Sequence, residues 1–196
     1  MILDAADLNT TKRFYDEGVR NIHIPNPFEC GAINRFVQNN PKFVQYLSIP
    51  SVTVGEYLRQ ILKNGDDYQK FTSAWFDYYN CYTGNKAAKV MPREDVKRLL
   101  KNGMMATPSI LAITTSYRCG ANAPDQIQLL LNDLSKWETP YCFEIVIAGK
   151  YHGRGGKPNM GIVILKLSSS RETGRKCRPV RTTYYEPEEF EKKIFI

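Results

Sequence analysis

The eleven residues Gly149-Lys-Tyr-His-Gly-Arg-Gly-Gly-Lys-Pro-Asn159 are built for contact with anions. Lys150, His152, Arg154 and Lys157 supply positive charge and donors with no acid among them, and the glycines free backbone N–H groups to turn toward a phosphate. The segment leads into a strand, so it is neither a Gly-x-x-x-x-Gly-Lys-Ser/Thr loop nor a dinucleotide fingerprint, both of which open a helix. Further along stand Arg171, Arg175, Lys176, Arg178 and Arg181. From Lys150 to Arg181 nine bases face Glu172 alone, an excess of eight, while the rest of the chain sums to −1 and the whole to +7. Bases interleaved with Gly and Ser have no neighbouring acids to neutralise them, which points to an anionic partner.

Chemistry beyond binding has little to work with. The two histidines, His23 and His152, have no acid within a few residues, and no Gly-x-Ser-x-Gly elbow is present. Cys30, at a helix start, would need His152 as a base from across the fold. The five cysteines, Cys30, Cys81, Cys119, Cys142 and Cys177, are scattered, without the clustered spacings of a zinc site or a disulfide framework. Cys142, alternating within a strand, reads as a small buried hydrophobe. These residues assign no catalytic group, no metal ligand and no cofactor.

The function expected on these grounds is a non-enzymatic binding protein for an anionic polymer. Single-stranded nucleic acid, RNA or DNA, fits best, held by the glycine-rich loop and the basic C-terminal segment, with Tyr151, Tyr184 and Tyr185 available for stacking. One alternative is an enzyme of nucleotides or nucleic acids that uses the glycine-rich loop to hold phosphate. Another is a viral-type structural, matrix or assembly protein, whose partners would be an anionic membrane surface or copies of itself. No basic amphipathic helix supports the membrane.

The elements that must position this loop follow from periodicity. Two nearly continuous apolar runs, Tyr141 to Ala148 and Met160 to Leu167, predict a buried hairpin. Asn9 to Gly18 predicts a short helix, and Asn21 to Ile24 a brief strand. Residues 26–47 carry two short helical stripes. Thr53-Val-Gly-Glu56 is a capping box opening a helix with Val54, Tyr57, Leu58, Ile61 and Leu62 on one face. Aromatic residues from Tyr68 to Tyr82 at helical spacing predict a further helix over 66–82, and Pro92 starts another that ends at Gly103. A strand over 109–117, a helix over 125–137 and the hairpin suggest a crossover joining parallel neighbours. An edge strand over 178–185 and a short terminal helix from Glu186 complete the reading.

The fold class expected is therefore α+β: a helical subregion over 1–105 and a small mixed sheet with one crossover helix over 106–196, in one compact domain. No apolar run approaches the length of a membrane span, and the acidic N-terminus is no signal peptide. A cytoplasmic or nuclear chain, not a secreted one, is expected.

Overall fold

The computed structural model describes residues 1–3, 9–25, 35, 38–39, 41, 45–65, 68–78, 80–84, 90–119, 123–152 and 158–170. Its elements are β1 (Ile2–Leu3), α1 (Asn9–Asp16), β2 (Ile22–His23), β3 (Leu47–Ser48), α2 (Val54–Lys63), β4 (Phe71–Asp77), α3 (Pro92–Lys101), β5 (Met105–Ser116), α4 (Gln126–Lys136), β6 (Tyr141–His152) and β7 (Pro158–Ser169). Among the described residues four helices and two sheets make a mixed α+β protein. It divides into two compact units, Met1–Tyr68 with Trp75–Asp77, and Gln69–Ala74 with Tyr78–Ile196. Strand β4 thus lends its last residues to the first unit and its beginning to the second.

In the first unit β1 pairs in parallel with the end of β4, Ile2 opposite Trp75 and Leu3 opposite Phe76. A second parallel pair, β2 with β3, sets Ile22 opposite Leu47 and His23 opposite Ser48. Ile2, Ile22 and Ile24 are buried together, with Phe14, Val19, Leu47 and Trp75 packed against them. Helix α2 begins as its sequence dictates: Thr53 accepts from the Glu56 amide, and the Glu56 side chain reaches back to the Thr53 amide at 3.0 Å. Two of the donors orphaned at a helix start are satisfied this way.

The second unit carries the strand order β4-β5-β7-β6. The amide of Phe71 donates to Met104 O at 3.0 Å and that of Tyr78 to Thr114 O at 3.3 Å, so partners advance together and β4 and β5 are parallel. Strand β7 is antiparallel to both neighbours. Leu111, Ile113, Leu130, Leu134, Val163, Leu165 and Leu167 are buried and supply the unit's core. The register of β6 shifts between Ile145 and Ile147.

Four expectations are corrected here. Phe71–Asp77 is a strand, not part of a helix: Ala74, Phe76 and Tyr78 are buried in alternation, and aromatic residues suit a pleated, half-buried surface. The first hundred residues therefore hold four strands beside their helices. Strands β5 and β6 are not neighbours, because β7 lies between them. The hairpin strands run on to His152 and resume at Pro158, leaving only 153–157 between them, since Gly149, Lys150 and Tyr151 keep their ladder partners Ile162, Gly161 and Met160.

The cysteines supply the last correction. Cys81 and Cys119 form a disulfide, their Cα atoms 5.8 Å apart. They are 38 residues apart in sequence, and only the parallel pairing of β4 with β5 brings the two strand exits together. Cys142 is also disulfide-bonded, not a plain buried thiol, and its partner lies outside the described residues.

Candidate active site

Parallel strands leave their carboxyl ends on one edge, and open α/β sheets hold ligands there, where consecutive connections part in opposite directions. In the first unit the parallel pair in the main sheet is β1 with β4. The chain leaves β1 for the β2–β3 pair and returns beside β1 as β4. The Trp75 amide donates to Met1 O at 2.9 Å, and two residues later Asp77 ends the strand, half-buried.

Strand β2 ends on His23. The Ile22 and Ile24 amides donate to Tyr46 O at 2.8 Å and Ser48 O at 2.7 Å, which fixes the backbone on both sides of the ring. Nδ1 of His23 lies 2.6 Å from the Tyr57 hydroxyl, and the two rings stack at 6.0 Å. Burial pulls His23 below its ordinary value, with the charge of the terminal amine adding to it, while burial raises Tyr57. Both groups are therefore neutral near pH 7, and which of them donates across this bond follows the tautomer of the ring.

A base held below its ordinary value binds a proton less readily in the fold than in the unfolded chain. The stability that depends on neutral His23 is complete above the unfolded value of 6.5 and is lost as pH falls below it. Thermal scans between pH 7.5 and 5 are expected to show wild type losing more of its melting temperature than His23→Asn. Parallel curves would refute this.

In the second unit Tyr78 and Asn80, which follow β4, are tied to the end of β5 by Tyr78 N to Thr114 O and by Ser116 N to Asn80 O at 3.1 Å. Beyond these rungs stands the Cys81–Cys119 disulfide. Next to it, the Tyr117 hydroxyl donates to Asp125 Oδ1 at 2.7 Å, and Lys150 Nζ lies 2.8 Å from Asp125 Oδ2 and 4.8 Å from the Tyr117 ring centre. Asp125 also caps α4 by accepting from the Gln128 amide. Gly161 lies under this cluster, where a Cβ would come within 2.7 Å of Tyr117 Cε2, so the ring sits on bare backbone.

Of the basic residues singled out by sequence, Lys150 is thus a strand residue whose ammonium is engaged by Asp125. His152 ends β6 opposite Pro158. Arg154, Lys157, Arg171, Arg175, Lys176, Arg178 and Arg181 lie outside the described residues, as do Cys30, Tyr184 and Tyr185 and the segments 178–185 and 186–190. The pairing of His23 with Tyr57, and Asp77 at a strand end, were not legible as a site. Among the described residues no cluster of three His, Cys, Asp or Glu can hold a metal, and no helix is long and apolar enough to cross a membrane.

No protein-family model matches the chain, and no curated protein matches it. Its fold, however, is found among solved structures. A candidate rRNA methylase from Clostridium thermocellum superposes with a TM-score of 0.56 at 9% identity, over 85% of this chain and 87% of that one. An rRNA methylase from Streptococcus thermophilus gives 0.55 at 9% identity, over 86% of each chain. The N-methyltransferase NodS from Bradyrhizobium japonicum WM9, solved with S-adenosyl-l-homocysteine, gives 0.53 at 13% identity, over 84% of this chain and 74% of that one. At such identities the likeness speaks for the fold alone, a Rossmann-like one shared with these methyltransferase structures. It overturns the expectation of a non-enzymatic nucleic-acid binder and of a viral matrix or assembly protein. That expectation weighed an uneven charge, which bears on partners and not on fold, while the parallel strands went unread.

Proposed function

We propose that this chain is a methyltransferase that takes its methyl group from S-adenosylmethionine and delivers it to a nucleic acid. The observation carrying this reading is the likeness to methyltransferase structures over more than four-fifths of the chain. When bound, the cofactor supplies an electrophilic methyl group on a cationic sulfur.

The residues at the first unit's strand ends suit such a donor. After β1 the sequence reads Asp4-Ala-Ala-Asp7, with two acids and no glycine triplet. A stretch without the glycine triplet of a pyrophosphate-binding turn disfavours a dinucleotide. A carboxylate such as that of Asp77 accepts hydrogen bonds from hydroxyl or ammonium groups, and neutral His23 has one ring N–H and one accepting ring nitrogen, with Nδ1 engaged by Tyr57. Among acceptors, the excess of eight positive charges from Lys150 to Arg181 favours a polyanion, and two of the similar structures are described as rRNA methylases. The NodS likeness keeps a small-molecule acceptor as the competing outcome.

Calorimetric titration with S-adenosylhomocysteine is expected to give a dissociation constant in about the micromolar range, in keeping with ordinary substrate affinities. Tritium from labelled S-adenosylmethionine is then expected in mixed-sequence RNA or DNA. Label appearing only in small amines or sugars would move the acceptor to the second class. No binding of the homocysteine analogue at millimolar concentration would overturn the cofactor reading.

A further inference from the structure

The exits of β4 and β5 are joined by a covalent bond in addition to their backbone rungs. Tyr82, next to Cys81, is already anchored: its amide donates to Gln126 Oε1 at 2.8 Å, its hydroxyl to Asp133 Oδ2 at 3.2 Å, and its carbonyl accepts from the Arg93 amide at 3.0 Å. The Cys81 side is therefore a fixed jaw. Cys119 lies three residues past the end of β5, beyond the Ser116 rung, between Tyr117 and Asp125, which are bonded to each other. Both cysteines are partly exposed residues. The edge they bridge is the one on which such sheets hold ligands.

We propose that the Cys81–Cys119 disulfide is a redox switch that orders the carboxyl edge of the second unit when oxidised and loosens it when reduced. This rests on the methyltransferase reading only for its consequence, which falls on acceptor turnover. The reductant is a dithiol of the dithiothreitol or thioredoxin class. Its thiolate attacks one sulfur to give a mixed disulfide, and its second thiol closes on the first. Two electrons reach the protein, Cys81 and Cys119 leave as thiols, and the reductant becomes its own disulfide. The loop between residues 81 and 119 is then no longer closed covalently, and the exit of β5 gains freedom relative to the exit of β4. An acceptor held there loses alignment, and small misplacements cost large factors in rate.

The test compares wild type, oxidised and reduced by dithiothreitol, with Cys81→Ser/Cys119→Ser, thiol titration and mass tagging confirming the state of each cysteine. Hydrogen exchange is followed on peptides spanning 78–84 and 114–119. Reduction is expected to speed exchange in both, more in the second, and the double variant is expected to exchange like reduced wild type under either condition. Transfer to RNA is expected to fall about tenfold or more in kcat/KM on reduction, with binding of S-adenosylhomocysteine unchanged. Unchanged exchange in wild type with both thiols confirmed free overturns the switch. So does redox sensitivity that persists in the double variant, since it then belongs to another cysteine. If S-adenosylhomocysteine does not bind in any state, the methyltransferase reading fails, and exchange alone still decides the switch.

Discussion

Tyr82→Ala is expected to lower the unfolding free energy by about 3–5 kcal/mol, the range for truncating a fully buried aromatic side chain. Tyr82 has no exposed surface, and its amide and hydroxyl bond Gln126 and Asp133 of α4. The truncation removes the buried ring and takes one partner from Asp133. The carboxylate keeps two bonds from Arg93, at 2.7 and 2.8 Å, so the loss is not that of an abandoned charge. Tyr82→Phe separates the two contributions and is expected to cost about 1.5–3 kcal/mol, the net value of one hydrogen bond to an ionised group. Burial first, and Asp133 next, push the phenol far above its ordinary value, so this difference does not vary between pH 6 and 9. Urea titrations with an unchanged slope measure both. A loss below about 1 kcal/mol for the alanine variant would show that the ring is not a keystone of this unit.

Asp77→Asn is expected to weaken binding of S-adenosylhomocysteine about tenfold to a hundredfold while leaving the fold intact. A hydrogen bond to an ionised group contributes about 1.5–3 kcal/mol, and the amide keeps the shape but loses the charge. Asp77 ends β4 one residue past the pairing of Phe76 with Leu3, so its backbone position at the strand end is fixed. Calorimetry on the variant, with circular dichroism to check folding, reads the effect. Equal affinities would move the cofactor away from this strand end.

How much of this was open to reading depends on how local each signal is. The capping box at Thr53 and Glu56, the proline start of α3 and the apolar hairpin are written in adjacent residues, and the structure places them where periodicity does. Strand β4 was hidden by its own composition. Phe71, Trp75, Tyr78 and Tyr82 fall at helical spacing, while burial follows Ala74, Phe76 and Tyr78. An aromatic-rich run satisfies both periods, and only its neighbours β1 and β5 decide between them. The site was hidden by distance. His23 meets Tyr57 across 34 residues, Cys81 meets Cys119 across 38, and Tyr82 meets Asp133 across 51. No spacing rule reaches so far. Lys150 looked uncompensated for the same reason, because its acid, Asp125, comes from a helix start and not from its own loop.

The register shift in β6 bears on how this protein behaves in company. Strand β6 is the last in the order of described strands, twelve residues long and rich in β-branched side chains. A long, flat outer strand of that kind is a template on which another chain can add its own, the first step toward aggregates. The shift between Ile145 and Ile147 takes Val146 out of the ladder and leaves it 49% exposed, with the charged pair Glu144 and Lys166 close by. An extra residue on one strand bends it, increases its twist and breaks the even row of amides and carbonyls that a second chain would have to match. The irregularity thus guards the strand against its own stickiness, and the exposed valine is what that protection costs.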